Sequence, residues 1–437
     1  MKNKKVAVIG GSRGLGKWIA KFLKKEGFKV TITSRDHEYG RKVAKKMGVK
    51  YCENNIDAAK SSDIVIVSVP IASTVKVIKE IAPHLRKGSL LLDVTSIKEK
   101  PAKAMEKYVP NYVEVLPTHP MFGPRITSLD GQVVILTPIR KSKCLNKVIN
   151  FLKEKKARVI VTTPKKHDKM MSVIQVLTHF AYICIASTIE KLKINIKESR
   201  KFASPIYNLM VDTIARIVAQ NPHLTFSIQH ENKEGEKVRK LFIDIAKKMN
   251  NIIENNEKEK FIEEVRKAAK NLDDIESALG RSDKAIAALN EEIKKLKKSV
   301  GKEVGLKHIY SGKVHVGILK EVSPDFVVLK SRKMTLKLKT SNIRILNKKE
   351  LQKWKIKKFG TKKFDISVIF PEKCDPNVIA KVVENEEGVI SAKIIDVYKG
   401  EQIPQGMVSI TIRFEVLDKK YYQNVKKLLE GLGAKIR

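Results

Sequence analysis

Cysteine is scarce in this chain, and the four present, Cys52, Cys144, Cys184 and Cys374, stand far apart. No pair has zinc-ligand or thioredoxin spacing, so neither a cysteine metal centre nor a disulfide framework organises the fold. A reducing cytoplasm is the expected setting. Long apolar runs are lacking too. The longest, Ile64 to Ala72, is broken by Ser68 and Pro70 and falls short of the ~18 residues of a membrane span. No membrane partner is expected. The basic start, Met1 to Lys5, leads into a short apolar run and then glycines. That is the pattern of a first strand and not of a signal peptide.

Acidic residues are in deficit, 47 against 88 basic ones, for a formal net charge of +41. Such an excess marks either nucleic-acid binding, which needs clustered cations, or a Lys-rich, thermophile-like composition. Residues 301–363 carry 18 Lys and Arg against 4 Asp and Glu, whereas residues 364–437 carry 11 of each. Over residues 1–300 the excess is spread thinly and reads as composition. For 301–363 both readings stay open.

Hydrophobic residues make up 42% of 437, enough for real cores. At roughly 100–200 residues per domain the length suggests two to four domains. Val6–Gly10, Val30–Thr33, Ile64–Val69, Leu90–Val94 and Val113–Leu116 are short apolar runs separated by helical stretches. Trp18, Ile19, Phe22 and Leu23 recur at helical spacing in the first of these. This alternation predicts an α/β fold, a Rossmann-type doubly wound sheet over 1–165, with Val133–Thr137 and Val159–Thr162 as late strands. Residues 166–300 read as an all-helical domain. Val173–Ile189 is apolar nearly all round, so it must be buried on every side, which suggests a core shared between subunits. Ile206–Ala219 is a helix halted by Asn221-Pro222. Val314–Leu319, Phe326–Leu329, Met334–Leu338 and Ile343–Leu346 predict a small basic β unit over 301–350. The Lys-rich 347–363 reads as a linker. The tail, 361–437, has the strand–helix–strand–strand–helix order of a ferredoxin-like α+β domain.

Gly10, Gly11, Gly14 and Gly16 lie between the first strand and first helix. Glycines there let the backbone approach a pyrophosphate, which the helix N-terminus then binds. The spacing is G-x-x-G-x-G, not the usual G-x-G-x-x-G. At the end of the second strand stand Thr33-Ser34-Arg35-Asp36. Ser34 and Arg35, with Arg13, can hold a 2′-phosphate, which favours NADP; alternatively Arg35 is solvated and Asp36 takes the ribose of NAD. Asp93-Val94-Thr95-Ser96-Ile97-Lys98 and Thr118-His119-Pro120-Met121-Phe122-Gly123-Pro124 follow later strands, where such sheets bind ligands. An imidazole there can take a hydroxyl proton while hydride leaves the same carbon, although a loop histidine is often structural.

Together these two segments resemble the prephenate dehydrogenase family of tyrosine biosynthesis, especially the bacterial bifunctional enzymes. The resemblance continues through His167-Asp168, Thr178-His179-Phe180-Ala181-Tyr182, Ser204-Pro205-Ile206-Tyr207, Ala215-Arg216 and Gln220-Asn221-Pro222, covering about residues 4–235. It implies a cofactor domain, a helical dimerisation domain and a site between them. It assigns His119 as the catalytic base, Ser96 as a hydrogen-bonding neighbour of that histidine and the substrate hydroxyl, Arg216 as the clamp on a prephenate carboxylate, and His179 as a second substrate-binding histidine. The implied reaction is oxidative decarboxylation of prephenate to 4-hydroxyphenylpyruvate with NADP or NAD and no metal. Arogenate dehydrogenase is the neighbouring alternative. A β-hydroxyacid dehydrogenase would place a lysine where His179 stands.

Without the resemblance, Arg216 in its apolar helix reads equally as an intraprotein ion pair, and His179 as a satisfied core histidine. The bifunctional relatives carry a chorismate mutase helix bundle, for which a first strand near residue 5 leaves no room. Other relatives carry a regulatory ACT domain after the helices. Here Asp396-Val397-Tyr398-Lys399-Gly400-Glu401-Gln402-Ile403-Pro404-Gln405-Gly406, with Ser409 and Arg413, resembles instead the ferredoxin-fold anticodon-binding domain of the phenylalanyl-tRNA synthetase β subunit. Regulation by tyrosine, assembly, and RNA binding through residues 301–437 are the expectations this raises, RNA being the less favoured. A homodimer is expected through the helical domain.

Overall fold

The computed structural model describes residues 3–437 apart from 273, 332 and 333, so Met1 and Lys2 of the basic start lie outside it. The chain divides into two compact units, Met1–Ile286 and Ala287–Arg437.

In the first unit, strands β1 (Lys5–Ile9), β2 (Lys29–Ile32), β3 (Lys50–Tyr51), β4 (Ile64–Val67), β5 (Leu90–Asp93), β6 (Glu114–Pro120), β7 (Val133–Leu136) and β8 (Arg158–Val161) alternate with helices. These are α1 (Gly14–Lys25), α2 (His37–Met47), α3 (Asn55–Lys60), α4 (Ile71–Ile81), α5 (Glu99–Tyr108) and α6 (Leu145–Glu154). The strands form one sheet in the order β3-β2-β1-β4-β5-β6-β7-β8, the doubly wound order. Pairing is parallel except between β6 and β7. The central strands read as unbroken apolar runs because helices cover both faces. Their period of two sends Val6, Val8 and Ile66 into one apolar layer and Ala7, Ile9, Val65 and Val67 into the other.

The helical part follows: α7 (Pro164–Met171), a π-helical turn (Ser172–Leu177), α8 (Thr178–Lys191), α9 (Ile196–Ser199), α10 (Pro205–Val218), α11 (Pro222–Glu231), α12 (Gly235–Glu254), α13 (Lys258–Lys270) and α14 (Ile275–Lys298). Asn221 ends one helix and starts the next: its side chain accepts from His223 N at 2.9 Å, with Pro222 in the first turn. Within a single chain α8 has no buried residue. The helix Pro164–Lys191 is long and apolar enough to cross a membrane by length and composition, with mean hydropathy 1.6 in its best 18-residue window. This corrects the expectation that no segment reaches that measure. Ser172, Gln175, Thr178 and His179 interrupt the run, so counting consecutive apolar residues passes over it.

In the second unit, Leu296 near the end of α14 is fully buried with Val304, Leu306, Leu319, Val327, Leu329 and Ile343. Those residues come from β9 (Glu303–His308), β10 (Val314–Val322), β11 (Phe326–Lys330), β12 (Thr335–Lys339) and β13 (Ile343–Ile345), an antiparallel sheet ordered β12-β11-β10-β9-β13. The linker expected at 347–363 is instead mostly helix α15 (Lys348–Phe359). Asn347 and Glu350 close a capping box at its start, with bonds of 2.9 and 3.0 Å. Leu351 packs where Gly305 has no side chain; a Cβ there would lie 2.8 Å from Leu351 Cδ1. The tail forms β14 (Lys362–Pro371), α16 (Pro376–Glu384), β15 (Val389–Tyr398), β16 (Met407–Val416), α17 (Tyr421–Gly431) and β17 (Lys435–Ile436), with sheet order β15-β16-β14-β17. This is the ferredoxin-like βαββαβ arrangement.

Candidate active site

The turn after β1 is shaped by what cannot fit there. Gly10 has φ +82°, and a Cβ on it would lie 2.4 Å from the Ser68 carbonyl oxygen at the end of β4. A Cβ on Gly16 would lie 2.6 Å from the Gly10 carbonyl oxygen. Gly11 packs against Ile32, and Gly14 opens α1. Arg13, the N-cap, gives α1 no side-chain hydrogen bond, so the amides of the first turn remain available to an anion. These residues fit a dinucleotide pyrophosphate.

Beside the turn, Arg13 pairs with Asp36 at 2.9 Å and lies over the Tyr39 ring, 4.3 Å from its centroid. Asp36 also caps α2, accepting from Tyr39 N at 3.0 Å. Ser12 Oγ donates to Ser34 Oγ at 2.9 Å. Arg35 is exposed and forms no ion pair among the described residues.

His119 sits near the end of β6 and is only 3% exposed. Its Nδ1 lies 2.9 Å from His167 Nε2, and His167 Nδ1 lies 2.7 Å from Asp168 Oδ1. Asp168 reaches from α7 to the start of α5, where Oδ1 accepts from Lys98 N at 2.7 Å and Oδ2 from Glu99 N at 2.9 Å. It therefore supplies the cap that Lys98 cannot. The Lys98 ammonium is wholly buried. It donates to Asp93 Oδ2, to Thr95 Oγ1 at 3.2 Å and to the Thr118 carbonyl oxygen at 2.6 Å, tying β5 to the residue before His119. Burial lowers the Lys98 pKa against the pull of Asp93. Burial first, and then the neighbouring His167 and the Lys98 ammonium, hold the His119 pKa well below the ordinary histidine value. His119 is thus a neutral imidazole at pH 7.

Ser96 is half-buried in the turn between β5 and α5 and has no hydrogen bond to His119 among the described residues; that histidine bonds His167 instead. The neighbouring Ile97 packs with Ile71, Val176 and Ile228. This cluster locks the turn to the π-helical segment and α11. Lys233 pairs with Glu99 at 2.8 Å, Lys100 pairs with Glu231, and Asn232 Nδ2 donates to the Asp168 carbonyl oxygen at 2.9 Å. His179 lies in the first turn of α8 and is half-buried. Its Nδ1 is buried without a partner, as are Gln175 Oε1 and Gln229 Oε1. It is therefore not a satisfied core histidine, and burial lowers its pKa. Arg216 on α10 is exposed and forms no ion pair among the described residues, so its expected burial cost does not arise.

Two family descriptions match the chain: prephenate dehydrogenase, nucleotide-binding domain, over residues 19–161, and prephenate dehydrogenase, dimerization domain, over 163–267. A probable arogenate/prephenate dehydrogenase of Methanocaldococcus jannaschii is 45% identical over 443 residues, covering 100% of this chain and 99% of its own. The chain belongs to the prephenate dehydrogenase family. A T-protein of Haemophilus influenzae is 30% identical over 260 residues, 59% of this chain and 64% of its own. The crystal structure of prephenate dehydrogenase from A. aeolicus, in complex with hydroxyphenyl propionate and NAD+, has the same fold. It superposes with a TM-score of 0.51 at 20% identity, over 63% of this chain and 99% of that one.

The chain is thus a prephenate/arogenate dehydrogenase by family, with a nucleotide-binding domain for NAD(P). Within it, His119 belongs to the nucleotide-binding part, and His167, Asp168, His179 and Arg216 to the dimerization part. In the sequence His167-Asp168 stands out only through the family resemblance, and Asp93 and Lys98 only as the ends of a segment that follows a strand. Their signal was chemical: an acid at a strand's C-terminal end with a lysine five residues on, and a His-Asp pair opening a helix.

Proposed function

We propose that the protein oxidises prephenate to 4-hydroxyphenylpyruvate and carbon dioxide, using NADP in preference to NAD, as a homodimer. The observation that carries this is a buried His119 at the C-terminal end of a strand in the nucleotide-binding sheet, its pKa held low and its Nδ1 held by His167 from the helical part. The bound oxidised nicotinamide supplies a hydride acceptor. His119 Nε2, which has no protein partner among the described residues, takes the proton of the ring hydroxyl as hydride leaves its carbon. The resulting ring ketone accepts the electron pair of the breaking carbon–carboxylate bond. Carbon dioxide leaves and the ring becomes a phenolate. The His119 imidazolium returns its proton to that oxygen, so acid and base balance over the cycle. Ser96 lies in the turn after β5, the strand paired with β6, and is assigned to the substrate hydroxyl; Arg216 is assigned to a carboxylate.

Charge supports the keto acid over the amino acid. Arogenate carries an ammonium, which calls for a free carboxylate. Glu99, Glu231, Asp93 and Asp212 are each paired with a cation, and Asp168 is engaged by two amides and His167. Arg216 alone is left uncommitted among these groups. The same logic supports NADP, because Asp36 is engaged by Arg13 and by its own helix while Ser34 and Arg35 border the turn. The homodimer rests on α8, whose apolar residues its own chain leaves at most half-buried. The test is initial rates with prephenate and arogenate, each with NADP and NAD. Prephenate with NADP is expected to give the highest kcat/KM; a preference for arogenate overturns the substrate assignment.

A further inference from the structure

The strongest feature not absorbed by the reaction is the buried chain of three side chains behind His119. We propose that His167, anchored by Asp168, is a positioning residue that fixes His119 as the Nδ1–H tautomer and so leaves Nε2 bare to receive a proton. The inference rests on the reading of His119 as the base, and deepens it.

A carboxylate only accepts, and that of Asp168 already accepts from the Lys98 and Glu99 amides at the start of α5. That helix terminus favours negative charge. The nitrogen 2.7 Å away, His167 Nδ1, must therefore be the donor. In the proposed arrangement His167 is neutral and carries this one N–H, so its Nε2 is an acceptor. The atom 2.9 Å from it, His119 Nδ1, must then donate. The remaining nitrogen of His119 is left with a lone pair. The rings meet edge to face, with centroids 5.1 Å apart and planes at 66°, which aims the Nδ1–H of one at the in-plane lone pair of the other.

The surroundings hold this order in place. His167 is 1% exposed and Asp168 4%, so water does not compete. Asp168 is held from both ends, its carboxylate by α5 and its carbonyl oxygen by Asn232. The other charged groups facing the pair are Lys98, before α5, and Asp93, at the end of β5, which are paired with each other; β7 presents only Ile135 opposite His119. Second-sphere partners that set a histidine tautomer in this way are a general device.

Two substitutions separate positioning from mere packing. His167→Gln places an amide oxygen at about the reach of Nε2 and can still accept from His119. His167→Asn keeps a polar contact with Asp168 but is too short for His119. The expected result is that H167N loses kcat by roughly 10- to 100-fold with substrate KM little changed, while H167Q regains most of it. Equal kcat for H167N and wild type, or equal losses in both variants together with a raised KM, overturns the proposal.

A second measurement needs no turnover. Histidine side-chain nitrogen NMR of the free enzyme at pH 7 is expected to show His119 as the Nδ1–H tautomer in wild type and H167Q, and a mixture in H167N. An Nε2–H His119 in wild type overturns the proposal. If the NMR holds while no substrate is turned over, the assignment of the reaction has failed and the positioning has not.

Discussion

A general base must be empty before it can act, and at His119, the proposed base, burial does the emptying. In that role His119 stops working only when it protonates, and the protonated form is disfavoured by burial, His167 and Lys98. Since the folded pKa lies below the ordinary 6.5, the acidic limb of kcat is expected below that pH, with rates flat from neutrality down to it. A pH–rate profile that bends at or above that value would contradict the assignment. Replacing the ring itself, His119→Asn, is expected to cost about 10²–10⁴-fold in kcat with KM for both substrates nearly kept. Lys98 acts on stability. Lys98→Met strands the Asp93 carboxylate in a site of 0% exposure. Breaking a buried pair in this way costs about 3–5 kcal/mol, to be read from the denaturation midpoint of the variant.

Elements carry the next level of constraint. At the turn between β1 and α1, a side chain at residue 16 has nowhere to go. Gly16→Val is expected to raise KM for the cofactor about tenfold or more, roughly 1.4 kcal/mol, with a much smaller effect on KM for prephenate. Equal effects on both would mean the turn has collapsed and not merely been filled. Strands and turns like these are legible from sequence because each announces itself locally: β1, β4 and β5 are unbroken apolar runs, and the glycines sit where a helix must begin. What is not legible depends on partners remote in the chain. The antiparallel pairing of β6 with β7 follows from a register with Ile135 that no local pattern encodes. The helix α15 looks like a charged linker because an apolar contact such as Leu351 on Gly305 is lost among lysines, and its ion pairs, Glu350 with Arg344 and Lys355 with Glu303, have partners on other elements. At the site, His119 stands out by its motif. Its link to Asp168 does not, because 48 residues separate the two histidines and only the packing of α7 on α5 brings them together.

At the scale of the whole molecule, the part matched by the family descriptions and the additional mass separate along the chain. The two family descriptions end at residue 267, and the A. aeolicus chain is matched over 99% of its length by 63% of this one. The first unit therefore holds a complete dehydrogenase fold, while the second has its own two cores, around Leu306 and around Ile410. Domains with independent cores generally fold alone. Deleting residues 301–437 is accordingly expected to leave kcat for prephenate within about twofold, and the change is expected in tyrosine sensitivity or oligomer size instead. Rates with and without tyrosine, together with light scattering on the eluting species, decide this. Turnover that disappears with the deletion, in a protein that still folds and dimerises, would place part of the catalytic machinery in the second unit. Tight tRNA binding that weakens steeply with salt and is lost on deletion would assign that unit to RNA. The charge distribution sets the terms: the excess lies in residues 301–363, whereas the ferredoxin-like residues 364–437 are balanced at 11 against 11. A polyanion would therefore have to be held by the small β unit and α15 and not by the sheet of the tail. Neutralising Lys330, Lys337 and Lys339 on β11 and β12 while leaving residues 364–437 intact distinguishes that case from regulation, in which the lysines are dispensable.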